Sequence, residues 1–374
     1  MKILYVFRSL AQWGGIERIL VEKMNHLVTI YGYDVYMLTA DQGDHSVPYN
    51  LENGVHFADL GIRFHQQYRY RGVKRLIVAR RLRRLFKQRL SARLQEIKPN
   101  IIVCTTANYI DINILSELKG STPLIVESHS IYHKTFGQEG LRHRYTDYMY
   151  RKGISKSQMM VALTEEDAND WRKKFAHVCV IPNMVHLNEG TVSSLDQKRV
   201  IWVGRFDYQK RPMEMIEVWK KIYPKFSDWH LDVYGEGEQL EELKRVVSAI
   251  EMNIHIHQPH KNIFNIYQSS SILVSTSLFE PFGLVIPEAM SCGLPVVAYD
   301  VPYGPADIIT DGVDGFLIKN RDLNEFANRV CQLIENKELR VRMGQAGVKS
   351  SQRYCADVIM SKWNELFESL CQKK

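Results

Sequence analysis

Apolar residues along this chain come in short unbroken runs, and between the runs they recur at every third or fourth position. The runs in the first half are KILYVF, VYMLTA, VHFADL, IIVCTT, PLIVES and QMMVAL, with VCVIPN closing that half. Those in the second half are KRVIWVGRF, WHLDVYGEG, NIHIHQ, SILVST, LPVVAYD and GFLIKN. Continuous Val/Ile/Leu runs without polar alternation predict parallel strands covered on both faces. The stretches between them read as helices, the first opened by Gly14-Gly15 and running through ERILVEKMNHLVTIYG. After about residue 322 the pattern is helical to the end. Residues 187–197, LNEGTVSSLDQ, are polar and rich in turn formers, which predicts a linker. The pattern predicts two doubly wound α/β domains in tandem, 1–186 and 198–355, with helix over 356–374. In such folds ligands bind at the carboxyl ends of strands, here in a cleft between the domains.

Composition narrows the classes. The chain has 374 residues, 45% hydrophobic and 24% charged, which suits two globular domains. MKILYVFRSL lacks the long apolar region and cleavage site of a signal peptide, and no apolar stretch approaches the roughly 20 residues of a membrane span. The six cysteines are scattered without metal-ligand spacing, so they read as reduced thiols of a cytoplasmic protein.

Charge adds a local feature. Residues 63–98 hold thirteen Lys/Arg against one acid, Glu96, a net +12, whereas the whole chain is +7. The remainder is therefore net −5, and the basicity belongs to one segment. Within it Val78, Leu82, Leu85, Phe86, Leu90, Leu94 and Ile97 fall at helical spacing and predict a stripe packed on the first sheet. Arg80, Arg81, Arg83, Arg84, Lys87 and Arg89 take much of the remaining surface. This face is either a solvated helix side or a patch for an anionic membrane, and Tyr68 and Tyr70 beside it suit an interfacial position. Nucleic acid is the less favoured polyanion, since no recognition motif accompanies the patch.

Candidate chemistry sits at strand ends. In EPFGLVIPE, Glu280 to Glu288, two acids bracket a turn that opens a helix near Leu284, with Pro287 tolerated in the first turn. The amides of Phe282, Gly283 and Leu284 there suit an anion, and the acids suit hydroxyl groups. On spacing alone a capped helix with two acids at its positive end explains the stretch equally well. In VGRFDYQKRP, Gly204 and Arg205 end a strand and Lys210 follows, two cations able to clamp a diphosphate or simply to be solvated. VYGEGEQL places Gly235 and Gly237 at another strand-to-helix turn, where a backbone could approach a nucleotide.

Taken in order, VGRF with its lysine, YGEGEQL, FEPFGLVIPEAMSCGLPVVA and GPADIITDGVDGFLI resemble the retaining glycosyltransferases of family 4, with the GT-B fold. RSLAQWGGIER resembles that family's glycine loop, and VALTEEDANDWRKKFAHVCVIPNMV the segment that ends its first domain. The resemblance implies an N-terminal acceptor-side domain, a C-terminal nucleotide-sugar domain and a last helix crossing back to the first. It implies that Arg205 and Lys210 neutralise the departing diphosphate, that Glu280 contacts the transferred sugar, and that Glu288 accepts from the ribose. Phe282, Gly283 and Leu284 would face sugar and phosphate through their amides, and Gly15 would approach the diphosphate. His129, in LIVESHS, would lie close to the donor sugar, although a satisfied strand-end histidine is the simpler view of that residue alone.

The resemblance further implies transfer of a hexose from a UDP- or GDP-sugar to a glycan or lipid-linked saccharide, for capsule or O-antigen assembly at the inner face of the plasma membrane. The acceptor would attack beside the departing diphosphate, by positioning and electrostatic stabilisation, with no cofactor and no metal. A scaffold that binds sugar nucleotides without transfer remains open. A dinucleotide enzyme fits less well, because RSLAQWGGIER is not GxGxxG. Nucleotide base, sugar and acceptor depend on the region near Gly235 and His257–Pro259 and on first-domain loops, where sequence patterns carry little information.

Overall fold

A computed structural model describes residues 1–136, 140–260 and 262–372. The chain forms two compact units: residues 1–184 with 359–374, and residues 185–358.

The first unit is built on β1 (Lys2–Phe7), β2 (Asp34–Thr39), β3 (Val55–Asp59), β4 (Ile101–Thr105), β5 (Leu124–Glu127), β6 (Met159–Ala162) and β7 (Val178–Val180). Their order is β3-β2-β1-β4-β5-β6-β7, parallel throughout. β4 and β5 are buried along their whole length, which is why their sequences do not alternate. Strand order reverses between β1 and β4, so the loops after these strands flank the switch point. Helix Gly72–Ile97 lays Leu82, Phe86, Leu90 and Ile97 into the core on one side of the sheet, with Val78, Leu85 and Leu94 at its margin.

The second unit carries β8 (Arg199–Val203), β9 (His230–Tyr234), β10 (Ile254–His257), β11 (Ile272–Ser275), β12 (Val296–Tyr299) and β13 (Gly315–Ile318). The order is β10-β9-β8-β11-β12-β13, again all parallel, with the reversal between β8 and β11. Trp202, Phe206, Trp219, Phe326 and Tyr299 fill its core. The polar stretch 187–197 is mostly exposed but is tied to the second unit at a few points. Ser193 donates to the Ser270 carbonyl at 2.6 Å, the Asn188 amide donates to Ser291 at 3.0 Å, and Leu195 is buried.

The last helix, Ala356–Gln372, begins in the second unit and continues into the first, where Ile359, Met360, Trp363, Phe367 and Leu370 are buried. Its Asn364 accepts a hydrogen bond from Tyr33. Residues 373 and 374, the end of the expected helix, lie outside the described residues.

Candidate functional site

In the second unit the candidate residues gather on the loops after β8 and β11, on the two sides of the switch point. The loop after β8 is held against the turn after β9 by close backbone contact. The Gly204 amide donates to the Tyr234 carbonyl at 3.1 Å and the Phe206 amide to the Glu236 carbonyl at 2.7 Å. A Cβ on Gly235 would stand 1.9 Å from the Gly204 carbonyl oxygen, and one on Gly237, at φ +149°, 2.5 Å from that of Phe206. Glycine at 235 and 237 therefore lets two loops touch.

Lys210 and Glu280 are brought into direct contact, Nζ to Oε1 at 2.5 Å. Glu280 is 3% exposed and also accepts from Ser277 Oγ at 2.6 Å. Its backbone is fixed from the other side: its amide donates to the Pro302 carbonyl at 2.9 Å, and its carbonyl accepts from the Tyr303 and Gly304 amides at 3.2 and 2.9 Å. Thr276 ties the loops together, accepting from Trp202 Nε1 at 3.0 Å and donating to the carbonyls of Lys210 and Arg211. Gln209 adds a second tie, its carbonyl accepting from the Leu278 amide at 2.8 Å. A carboxylate buried this deeply needs a cation and donors around it, and this arrangement supplies both.

Arg205 is placed differently. Its side chain is 68% exposed and pairs with Asp207 at 3.0 Å, on the same loop as Lys210 but reaching into solvent. Gly283, at φ +99°, makes the turn after Glu280 that an L side chain would resist. The amides of Phe282, Gly283 and Leu284 donate to no backbone carbonyl among the described residues. The Phe282 ring is buried and packs edge-on against Tyr354 at 5.2 Å, so its side chain serves the core. Glu288 lies within helix Val285–Ser291 and is 5% exposed.

The first unit holds the other two candidates. Gly15 begins helix Gly15–Thr29, and Glu17 folds back so closely that a Cβ on Gly14 would meet its carboxylate at 2.1 Å. Burial raises the Glu17 carboxyl, against its own backbone hydrogen bond and the influence of His129. His129 Nε2 donates to a Glu127 oxygen at 2.8 Å, and Glu127 is ion-paired through its other oxygen to Lys23. All three side chains are nearly inaccessible, at 6%, 2% and 3%. Burial pushes the Glu127 carboxyl up, but Lys23 and His129 outweigh it and hold it at about 2. Burial lowers the Lys23 ammonium, opposed by Glu127. Lys23 also sits 3.5 Å from the centroid of the Trp363 ring, a cation–π contact supplied by the C-terminal helix. With Glu127 ionised, the hydrogen bond fixes the proton of His129 on Nε2 and leaves Nδ1 for another partner.

Of the basic patch, Arg80, Arg81 and Arg84 are exposed. Arg83 is half-buried, and Lys87 is engaged with Glu117 at 2.8 Å.

Sequence reasoning passed over Ser277, Thr276, Arg321 and the Lys23–Glu127 pair. Arg321 pairs with Glu214, donates to the Ser277 carbonyl at 2.7 Å and covers the Tyr299 ring at 4.4 Å. Ser277 stands three residues before Glu280, a spacing that could have marked it. Arg321 and Lys23 carry no local signal, because their partners are distant in the chain. Among the described residues, no group of three or more His, Cys, Asp or Glu side chains is arranged to hold a metal ion.

Comparison with known proteins adds to this geometry. Residues 13–189 match the model of Glycosyltransferase Family 4, and residues 188–350 that of Glycosyl transferases group 1. The chain is 25% identical to the amylovoran biosynthesis glycosyltransferase AmsD of Erwinia amylovora, over 98% of this chain and 99% of that protein. It is 28% identical to the poly(ribitol-phosphate) alpha-N-acetylglucosaminyltransferase of Staphylococcus aureus, over 64% of this chain and 50% of that longer one. Its fold matches S. aureus TarM in a complex that includes UDP, with TM-score 0.77, 16% identity, and 98% and 99% of the two chains covered.

Proposed function

The chain belongs to glycosyltransferase family 4 and has the GT-B fold, and from that premise we propose that it transfers a hexose, with retention, from a UDP- or GDP-sugar to a hydroxyl of a surface glycan or its lipid-linked precursor. The observation that carries the reading is the Lys210–Glu280 contact between the loops at the second unit's switch point, with Arg205 on the same loop. A cation held on a buried carboxylate is poised for exchange. An arriving diphosphate draws Lys210 and Arg205 to its oxygens, and Glu280 is released to accept from the hydroxyls of the sugar.

The reaction then runs on one face of the sugar. The bond from the anomeric carbon to the diphosphate oxygen breaks, and a bond to the acceptor oxygen forms on the same side. The acceptor's proton passes to the departing diphosphate. Lys210, Arg205 and the amides of Phe282, Gly283 and Leu284 stabilise the charge that develops there, which is where electrostatic catalysis acts most strongly. Glu288 is assigned to the ribose hydroxyls. Gly15 is assigned to the diphosphate, and His129 to a sugar hydroxyl through the nitrogen that Glu127 leaves available. No step in this scheme uses a metal ion. The similarity to an amylovoran biosynthesis glycosyltransferase and to a poly(ribitol-phosphate) alpha-N-acetylglucosaminyltransferase supports a surface-glycan acceptor.

The test is thermal unfolding with UDP, GDP and NAD, on the wild type and on Arg205→Ala/Lys210→Ala. A ligand at about 100 times its Kd stabilises by about 2.7 kcal/mol. A shift with UDP or GDP that disappears in the double variant and survives EDTA is the expected result. A shift with NAD alone, or one indifferent to both substitutions, overturns the assignment.

A further inference from the structure

One surface of the first unit stands outside the transfer chemistry. Helix Gly72–Ile97 is anchored by its middle and far end, while its first turns are held by little: residues 71–77 are all exposed. Three of them are large and apolar, Val73 at 71%, Leu76 at 61% and Ile77 at 60% exposed, and Tyr68 just before them is 66% exposed. At 100° per residue, Val73, Leu76, Ile77, Arg80, Arg84 and Lys87 lie within about 60° of a common line along the helix. The buried residues Leu82 and Phe86 lie on the opposite side. The outward face is thus graded, apolar at the helix start and cationic beyond it. The tyrosines are bound into the same surface: Lys74 stands 4.7 Å over the Tyr70 ring and Arg75 4.6 Å over that of Tyr68.

We propose that this face docks the protein on an anionic phospholipid bilayer, with Val73, Leu76 and Ile77 entering the interface and Arg80 and Arg84 resting on the headgroups. Charge complementarity selects the occupant, since residues 63–98 carry thirteen cations and a single acid. That acid, Glu96, is paired with Arg93 at the far end of the helix. Glu117, the acid facing the helix from outside, is engaged by Lys87 and not by Arg80 or Arg84. The apolar residues decide between polyanions. Water-exposed Val, Leu and Ile gain from entering the acyl boundary and gain nothing from a nucleic-acid backbone. The helix is no membrane span, for among the described residues no helix is long and apolar enough to cross a bilayer. The inference deepens the proposed function by giving the enzyme a place beside a lipid-linked acceptor. It is tested without donor or acceptor, so its failure leaves the transfer reading standing.

The experiment is co-sedimentation of the full chain with vesicles of phosphatidylcholine alone or mixed with phosphatidylglycerol, with single-stranded RNA as a competing polyanion. Two variants separate the contributions, Val73→Ser/Leu76→Ser/Ile77→Ser and Arg80→Gln/Arg84→Gln. The wild type is expected to pellet with the anionic vesicles and not with the neutral ones. Loss of two headgroup cations weakens partition about thirty-fold, and loss of the apolar tip at least tenfold. A third variant, Leu76→Trp, keeps the face apolar and reports insertion as a blue-shifted emission on adding anionic vesicles. Equal pelleting with both lipids, an apolar triple variant that binds like wild type, an unshifted Leu76→Trp emission, or RNA outcompeting the vesicles would each overturn the proposal.

Discussion

Replacing Lys23 by methionine leaves a carboxylate in the core of the first unit without its cation, and the cost can be worked from the structure. Lys23 and Glu127 are 3% and 2% exposed, so solvent screens the pair little. The Glu127 carboxyl is held at about 2, against 4.5 for an unperturbed glutamate. At 1.36 kcal/mol per pH unit, that displacement, held by Lys23 and His129 together and opposed by the burial of the Lys23 ammonium, sets an upper bound of about 3 kcal/mol on what Lys23 contributes through Glu127. Removing one partner of a buried pair costs about 3–5 kcal/mol, so the two approaches meet at that bound. For a unit of this size the loss lowers the midpoint of thermal unfolding by about 6–12 °C.

The sign with pH follows directly. A carboxyl whose folded pKa is depressed contributes in full above its unfolded value near 4.5, and the contribution fades as pH falls toward 2. The deficit of Lys23→Met should therefore be largest at neutral pH and shrink as the acid is titrated. Lys23→Met/Glu127→Gln should recover most of the stability, because no unpaired charge remains. Melting curves followed by the emission of Trp171 and Trp363, both buried in the first unit, are the assay. A loss below about 1 kcal/mol, or a deficit equal at neutral and acidic pH, would refute the reasoning.

Other outcomes follow from single contacts. Phe86→Ala on the buried side of helix Gly72–Ile97 should cost about 3–5 kcal/mol, whereas Arg84→Ala on its outward side should stay within about 0.5 kcal/mol, both read by denaturant unfolding. Gly304→Ala would place a methyl 1.8 Å from the Phe282 carbonyl oxygen and prise the turn from Glu280; a loss of about 1–3 kcal/mol and weaker nucleotide binding by calorimetry are expected. Thr276→Val strands the Trp202 indole N–H in the core, at about 1–3 kcal/mol, with a rise in nucleotide Kd as the Lys210 loop loosens.

The sheets were legible because their central strands, such as β4, β5, β11 and β12, are buried on both faces and so announce themselves as unbroken apolar runs. The positions of Arg205, Lys210 and Glu280 were legible because a loop at a parallel strand's end is short and its order is fixed by the strand before it. What lay hidden was pairing at a distance. Nothing near Lys23 in EKMNHL signals a buried charge, since Lys23 lies on a helix and its partner stands 104 residues away at the end of β5. Gly235 and Gly237 suggested approach to a nucleotide; the close packing of their backbone on the neighbouring loop, which leaves no room for a Cβ, is a further demand that the glycine pair alone did not announce. The basic segment read as one face, yet Lys87 and Arg83 are partly committed to the body of the unit while the apolar tip at Val73, Leu76 and Ile77 went unremarked. Periodicity alone gives the direction a side chain takes, but exposure depends on what packs there.

The route of the chain through the two units has a consequence for biosynthesis. Residues 185–358 form a contiguous block, and everything that unit needs has left the ribosome by the time residue 358 emerges. Residues 1–184 are made before that block, yet the unit they belong to is completed after it. Its Lys23 is roofed by Trp363, and its core takes Phe367 and Leu370 from the final helix. Vectorial folding from the amino end, the usual order during translation, is therefore interrupted here. The first unit must wait, with the Lys23–Glu127 pair still open to water, until residues 359–372 are synthesised and return to it.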